Sequence, residues 1–394
     1  MSNQNRVLPI IVFAQFCCTS LWFAGNAVMS DLVQAFNLEI SALGHLTSAV
    51  QFGFIFGTLV FAIFTIADRF ATSQVFFASA ALGALFNLGT TLDNNTFTTL
   101  LIFRFMTGFF LAGIYPVGMK IAADYFQKGL GKSLGYLVGA LVLGTAFPHL
   151  LKGLGAELPW KLILFITSSL AFLGGLLMLV LVPNGPFRRQ SKKMDFSAFF
   201  KVFKNQKFRS AAFGYFGHMW ELYAFWAFVP VMISTFLELN PNEEMNISLF
   251  SFLIIGLGGV ACVIGGYISQ NFGTKKTAFS ALLASCILCL LSPLIFYFSS
   301  KIFLIGYLII WGLVVIADSP LFSTLVAQNA IPESKGTALT IVNCIGFFIT
   351  IFSIQLLTTL VSSMDPRFIY VFLAIGPILG LIALGNFRGR MERG

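Results

Sequence analysis

From Val7 to Phe387 the chain repeats one pattern: an apolar stretch long enough to cross a bilayer, then a short polar loop. A helix needs about 20 apolar residues to span a hydrocarbon core of ~30 Å. Stretches of that length recur with no room between them for a water-soluble domain. Charge is correspondingly scarce, with 10% of residues charged and 57% hydrophobic, whereas a soluble globule carries about 25% charged residues. Lipid reverses the usual demand. A spanning helix shows apolar side chains outward and satisfies its own backbone N–H and C=O groups. The pattern therefore predicts an all-α, multi-pass membrane protein.

Measured against bilayer thickness, the stretches resolve into twelve spans, at 7–30, 44–66, 73–92, 97–120, 132–151, 160–182, 209–235, 247–269, 275–297, 301–326, 336–360 and 367–387. Loop charge orients them. One side holds Arg6, Arg69, Lys120, Lys128, Lys132, Lys275, Lys276, Lys335, Arg388, Arg390 and Arg393, together with the central loop. That loop adds Arg188, Arg189, Lys192, Lys193, Lys201, Lys204, Lys207 and Arg209. The other side holds only Lys152, Lys161, Lys301 and Arg367, and Arg104 falls within a span. The positive-inside rule makes the first side cytoplasmic, with both termini there, as in a bacterial inner membrane. The net charge of +9 thus reports topology and contact with anionic lipid, and no nucleic-acid partner is expected. The short, polar Met1–Arg6 segment and the long apolar run after it do not read as a cleaved signal peptide. The six cysteines all fall in apolar segments and read as buried structural thiols.

The longest polar stretch divides the chain into six spans and six. The expected domains are 1–183, a basic linker at 184–208, and 209–394. Such hydropathy repeats mark secondary transporters. Local motifs then resemble the major facilitator superfamily. That family carries a Gly-x-x-x-Asp-Arg-x-Gly-x-Lys/Arg-type loop after its second helix and again after its eighth. The second copy here is Gly266-Tyr-Ile-Ser-Gln270-Asn-Phe-Gly273-Thr-Lys275-Lys276; the first keeps Asp68-Arg69, with Phe64 in the glycine's place. Arg104-Phe-Met-Thr-Gly108 is similar to the family's Arg-x-x-x-Gly pattern in the fourth span. The resemblance implies twelve helices in two six-helix bundles, a solute carrier acting as a monomer, and no cofactor beyond a proton gradient as energy source. It implies a gating role for Asp68, Arg69, Gly266, Gly273 and Lys275; a surface anchor is the plain alternative. The segments Leu21-Trp22-Phe23-Ala24-Gly25-Asn26-Ala27 and Gly113-Ile-Tyr115-Pro116-Val-Gly118-Met119-Lys120 look like the nitrate/nitrite-porter-like branch. The arginines that clamp nitrate in the second and eighth spans are missing, so ancestry is implied rather than that substrate.

Ionisable side chains within spans cost at least ~2.5–3.5 kcal/mol on insertion scales and usually face a cavity or a partner. Arg104 is cationic at every accessible pH and must meet a carboxylate, carbonyls, water or an anionic solute. The family resemblance links it to proton coupling; a static interhelical bridge is the alternative. Glu221 lies mid-span with His218 one turn earlier on the same face, so the two form a candidate proton-handling pair. Asp318-Ser319-Pro320 predicts a bent or broken helix beside an acid, a recurrent transporter site. Tyr115-Pro116 and Pro148 invite the same reading without an acid. Candidate cavity-lining residues are Asn26, His45, Gln51, Tyr115, Tyr223, Trp226 and Asn343. Gln15 and His149 share that reading or join helices by hydrogen bonds. Gly135, Gly139 and Gly144 would let the fifth span pack closely.

No phosphate loop, metal-ligand spacing or nucleophile motif is present, so an enzyme is not expected. The leading expectation is a proton-coupled carrier for a small organic solute; Arg104 with the nearby histidines favours an anion, while Glu221 and Asp318 would carry protons or bind a cation. A proton-driven exporter of drugs or metabolites is the second. A transporter-like receptor or lipid-handling protein without proton coupling is a third, of another class.

Overall fold

The computed structural model describes residues 3–39, 41–126, 130–154, 158–188, 202–330 and 335–385. Arg189, Lys192, Lys193 and Lys201 of the central basic loop lie outside these, as do Lys128, Arg388, Arg390 and Arg393 and the side chains of Lys132 and Lys335. All regular elements among the described residues are helical. Nine helices there are long and apolar enough to cross a membrane, and Arg6–Thr19 and Ile369–Gly385 are shorter apolar helices. Thr72–Gly89 supplies the third span. These twelve elements coincide in order with the twelve apolar segments. Large apolar side chains such as Phe52, Phe56, Ile102, Phe165 and Ile310 remain on the outer surface, as lipid-facing positions must.

Helix breaks fall where the local chemistry calls for them. The first span runs Asn3–Thr19 and resumes as Ala24–Ala27 and Met29–Phe36. At the break the Thr19 and Ser20 hydroxyls donate to the carbonyls of Gln15 (2.8 Å) and Cys17 (2.7 Å), offering the backbone an alternative to the helical ladder. The fourth span stops at Leu111 and restarts at Tyr115, and the tenth stops at Ala317 and restarts at Ser319. In both the restarting helix carries its proline, Pro116 or Pro320, in the first turn, where a missing N–H costs least. The expected bend at Pro148 does not become a break: Leu130–Leu154 continues through it. The seventh span is also longer than its apolar run predicts. It extends over Gln206–Leu239, 34 residues, with Pro230 inside.

The chain forms two compact units, one of residues 1–193 with 251–259, the other of 194–250 with 260–394. In the first, the second span packs on the fourth, and the first span packs on the fifth and sixth. The second and fourth spans approach closely because Gly53 and Gly57 face the backbone at Phe105 and Phe109, while Gly108 faces the carbonyl of Val50. A Cβ at any of these would drive the helices apart. Gly144 of the fifth span likewise seats on Thr19 and the Phe16 carbonyl, whereas nothing lies against Gly135. In the second unit the seventh span packs on the eleventh and twelfth, and the ninth on the tenth.

The basic residues assigned to the outer side are each ion-paired. Lys152 meets Asp31 at 2.8 Å, Lys301 meets Glu243 at 2.8 Å, Arg367 meets Asp365 at 2.6 Å, and Lys161 meets Asp93. Among the described residues this face thus carries its few cations neutralised. Asp365 lies in the loop before the twelfth span, and hydrogen bonds from the Arg367 side chain and backbone hold its carboxyl below the usual range.

Candidate functional site

In the second unit, two buried acids stand on different partners. Asp318 occupies the break of the tenth span and contacts the seventh: His218 Nδ1 lies 2.8 Å from Asp318 Oδ1, with both side chains only 1% exposed. Tyr215 and Phe322 rings flank the imidazole, each with its centroid 6.1 Å away. Neither Asp318 oxygen makes a well-aligned hydrogen bond, the Oδ1 approach to His218 being close but poorly directed, and His218 Nε2 has no partner. A carboxyl so far from water is tolerated only when it is neutral or has a polar partner beside it, and the imidazole is the group placed there.

Glu221 faces away from that pair. Its Oε1 accepts from Ser285 Oγ of the ninth span and Trp311 Nε1 of the tenth, while Oε2 is buried without a partner. The His218–Glu221 pair expected from sequence does not form. Positions three apart on a helix differ by about 60° in direction, and that angle sends His218 to the tenth-span break and Glu221 to the ninth span. Ser285 and Trp311 carry no sequence signal for this role, because a serine and a tryptophan in apolar spans are unremarkable until an acid is placed against them.

Beside this region Tyr223 and Trp226 are buried, their rings 5.2 Å apart at 67°, and Tyr223 meets Phe347 at 5.2 Å. They form a packed aromatic cluster of the seventh and eleventh spans. Asn343, one turn before Phe347, is half-buried.

In the first unit Arg104 is buried beside the break of the first span. Its Nη2 donates to the Trp22 carbonyl at 2.7 Å, and Nη1 to the Leu21 carbonyl and Asn87 Oδ1, each at 3.4 Å. The Asn87 amide in turn donates to Ser168 Oγ at 2.9 Å. Among the described residues these three acceptors are all neutral, so Arg104 supplies the donors that the interrupted helix lacks. Gly25 makes room, since a Cβ there would stand 3.0 Å from Arg104 Nε. The guanidinium is thus held by neutral oxygens, and no carboxylate pairs with it among the described residues.

The remaining candidates divide. Asn26 Nδ2 donates to Thr47 Oγ1 at 2.7 Å, and Trp22 meets Phe54 at 4.8 Å. Gln51 lies between Thr47 and Phe54 on the same face of the second span. It is fully buried, and neither of its amide atoms has a partner. Gln15 and His149 Nε2 are also buried and unpartnered. His45, by contrast, is exposed, its ring against Phe97 at 5.9 Å; it stands at the end of its span rather than inside. Tyr115 is half-buried at the restart of the fourth span.

At the loop between the second and third spans, Asp68 pairs with Lys120 of the fourth at 2.7 Å. Arg188 closes the same region, donating to the carbonyls of Asp68 (3.0 Å) and Phe70 (2.7 Å). Arg69 is exposed. In the second copy Gly273 has φ +85°, a left-handed value that glycine adopts without strain. It turns the chain into the helix that begins at Thr274 and carries Lys275. Gly266 is helical with open space where a Cβ would stand.

Two broken helices, each with its proline just past the gap, and charges buried in both units define a carrier-type membrane protein. The model of the Major Facilitator Superfamily matches residues 11–354, and the chain belongs to that family. It is a multi-pass transporter of small molecules and not an enzyme. A 163-residue stretch is 30% identical to the 3-(3-hydroxy-phenyl)propionate transporter of Escherichia coli K12, covering 41% of this chain and 38% of that one. The match therefore spans well under half of that relative's length. Among solved structures, the human organic anion transporter MFSD10 is similar at TM-score 0.75, and a mutant of the nucleoside transporter NupG at 0.74. Both are 14% identical and cover 98% of this chain, with 100% and 99% of their own lengths covered.

Proposed function

We propose that this protein is a proton-coupled carrier that moves a small organic anion by alternating access. One observation carries the reading: His218 and Asp318 form a buried contact at the break of the tenth span. A proton that arrives at such a site changes its charge, and charge in low dielectric strongly biases which conformation is favoured. Arg104 supplies the positive charge that favours an anion. The partial likeness to the 3-(3-hydroxy-phenyl)propionate transporter of Escherichia coli supports an aromatic carboxylate as the first solute to try. The nitrate/nitrite-porter-like segments are ancestry on this reading. The protein works as a monomer in a bacterial inner membrane with both termini cytoplasmic, without nucleic acid. Residues 1–183 and 209–394 are its two halves, joined by the linker 184–208, and the loops at Asp68–Arg69 and Gly266–Lys275 bias the inward and outward states.

The test is uptake of 3-(3-hydroxyphenyl)propionate and related aromatic acids into proteoliposomes under an imposed pH gradient. Accumulation that follows the gradient supports the reading. Uptake indifferent to the gradient removes proton coupling, and accumulation of an amphiphilic cation against an inward gradient would instead favour the exporter.

A further inference from the structure

Three buried polar side chains of the first unit lack partners, and helix register brings them to one depth. Thr145 Oγ1 and His149 Nε2 of the fifth span and both amide atoms of Gln51 in the second make no hydrogen bond. The three residues are 0%, 2% and 0% exposed. The first and fifth spans run side by side at a constant offset. The Thr19 hydroxyl lies 3.5 Å from the Ala140 carbonyl and Lys152 pairs with Asp31, each contact joining residues 121 apart. The same offset sets Thr145 beside Ala24 and His149 beside Val28, and the two share one face of their helix. From the second span, Thr47 meets Asn26 and Phe54 meets Trp22, so Gln51, midway between them, stands beside residues 22–26. All three are level with the break of the first span, where the Trp22 and Phe54 rings add an apolar surface. Leaving a buried donor or acceptor unmade is costly, and most such groups in folded proteins are bonded. Three at one depth call for a partner from outside the chain. Their chemistry restricts it. The amide and the hydroxyl both donate and accept, the imidazole nitrogen does one or the other, and the amide and hydroxyl carry no charge. A carboxylate only accepts and would strand the Gln51 oxygen. A hydroxyl group donates and accepts, and matches the set.

We infer that Gln51, Thr145 and His149 form a subsite that binds a hydroxyl group of the solute, with the solute's ring against Trp22 and Phe54. The subsite rests on the carrier reading above and adds the feature it selects, a phenolic hydroxyl. Purified full-length protein is titrated by calorimetry with 3-(3-hydroxyphenyl)propionate, with 3-phenylpropionate, and with the neutral methyl ester of each. The wild-type protein should bind each hydroxylated compound at least about tenfold more tightly than its counterpart, whose binding leaves the buried groups unpaired. Gln51→Leu should erase most of that preference without lowering the melting temperature of the ligand-free protein, because it removes an unpaired group. Gln15→Leu removes another buried, unpartnered glutamine, about two turns before Trp22, and should keep the preference. Preference within the ester pair alone, with neither acid bound, supports the subsite and removes the anion reading. Acids bound without regard to the hydroxyl leave the anion reading standing and overturn the subsite. No binding of any of the four compounds, or loss of the preference in both variants alike, overturns it as well. So does a preference that survives Gln51→Leu; a lowered melting temperature in that variant would then assign the amide to a structural water.

Discussion

His218 Nδ1 stands 2.8 Å from Asp318 Oδ1, linking the continuous seventh helix to the gap in the tenth. The contact joins a rigid element to an interrupted one. The contact therefore bears on the part of the bundle least bound by its own backbone ladder.

Asp318→Asn keeps the shape of the side chain and removes its titration. Gradient-driven accumulation is expected to fall at least tenfold, while solute exchange at equal pH on both sides persists. Exchange and accumulation assays in the same proteoliposomes check this. Loss of both together would make Asp318 a structural or solute-binding group instead.

Glu221 has a different signature. Glu221→Gln preserves an oxygen acceptor for Ser285 and Trp311, and the melting temperature should barely move. Glu221→Leu strands both donors, at about 1–3 kcal/mol for each unsatisfied buried group, and should lower it by several degrees. Equal melting temperatures for the two variants would contradict the bonding seen to Oε1.

Arg104→Lys retains charge but not the fork that reaches Trp22, Leu21 and Asn87. Loss of one charge-assisted bond costs about 1.5–3 kcal/mol, so a clear drop in thermal stability is expected despite the conserved charge. Gly25→Ala should displace the guanidinium with a smaller stability change and a measurable rise in the KM for anionic solute.

Asp68 and Lys120 are partly exposed, at 14% and 20% of their side-chain surface. Such a pair contributes at most about 1 kcal/mol to stability. Asp68→Asn should therefore leave the melting temperature nearly unchanged while altering the inward/outward balance, which labelling rates of single cysteines placed at either end of the spans would report. Unchanged labelling would remove the gating role.

What the chain determines by itself follows from local chemistry. Twelve spans and the gap at Asp318-Ser319-Pro320 are each written within a few neighbouring residues, whereas of Tyr115-Pro116 and Pro148, which invited the same reading, only the first interrupts its helix. Bilayer thickness and proline's missing N–H act over that range. Tertiary structure alone decided the partners. Ser285 and Trp311 lie 64 and 90 residues from Glu221, and the carbonyls that hold Arg104 lie 82 and 83 residues away. No periodicity encodes such pairings. They arise because a buried polar group must find a donor or acceptor among whatever helices pack against it, and packing is a property of the whole bundle.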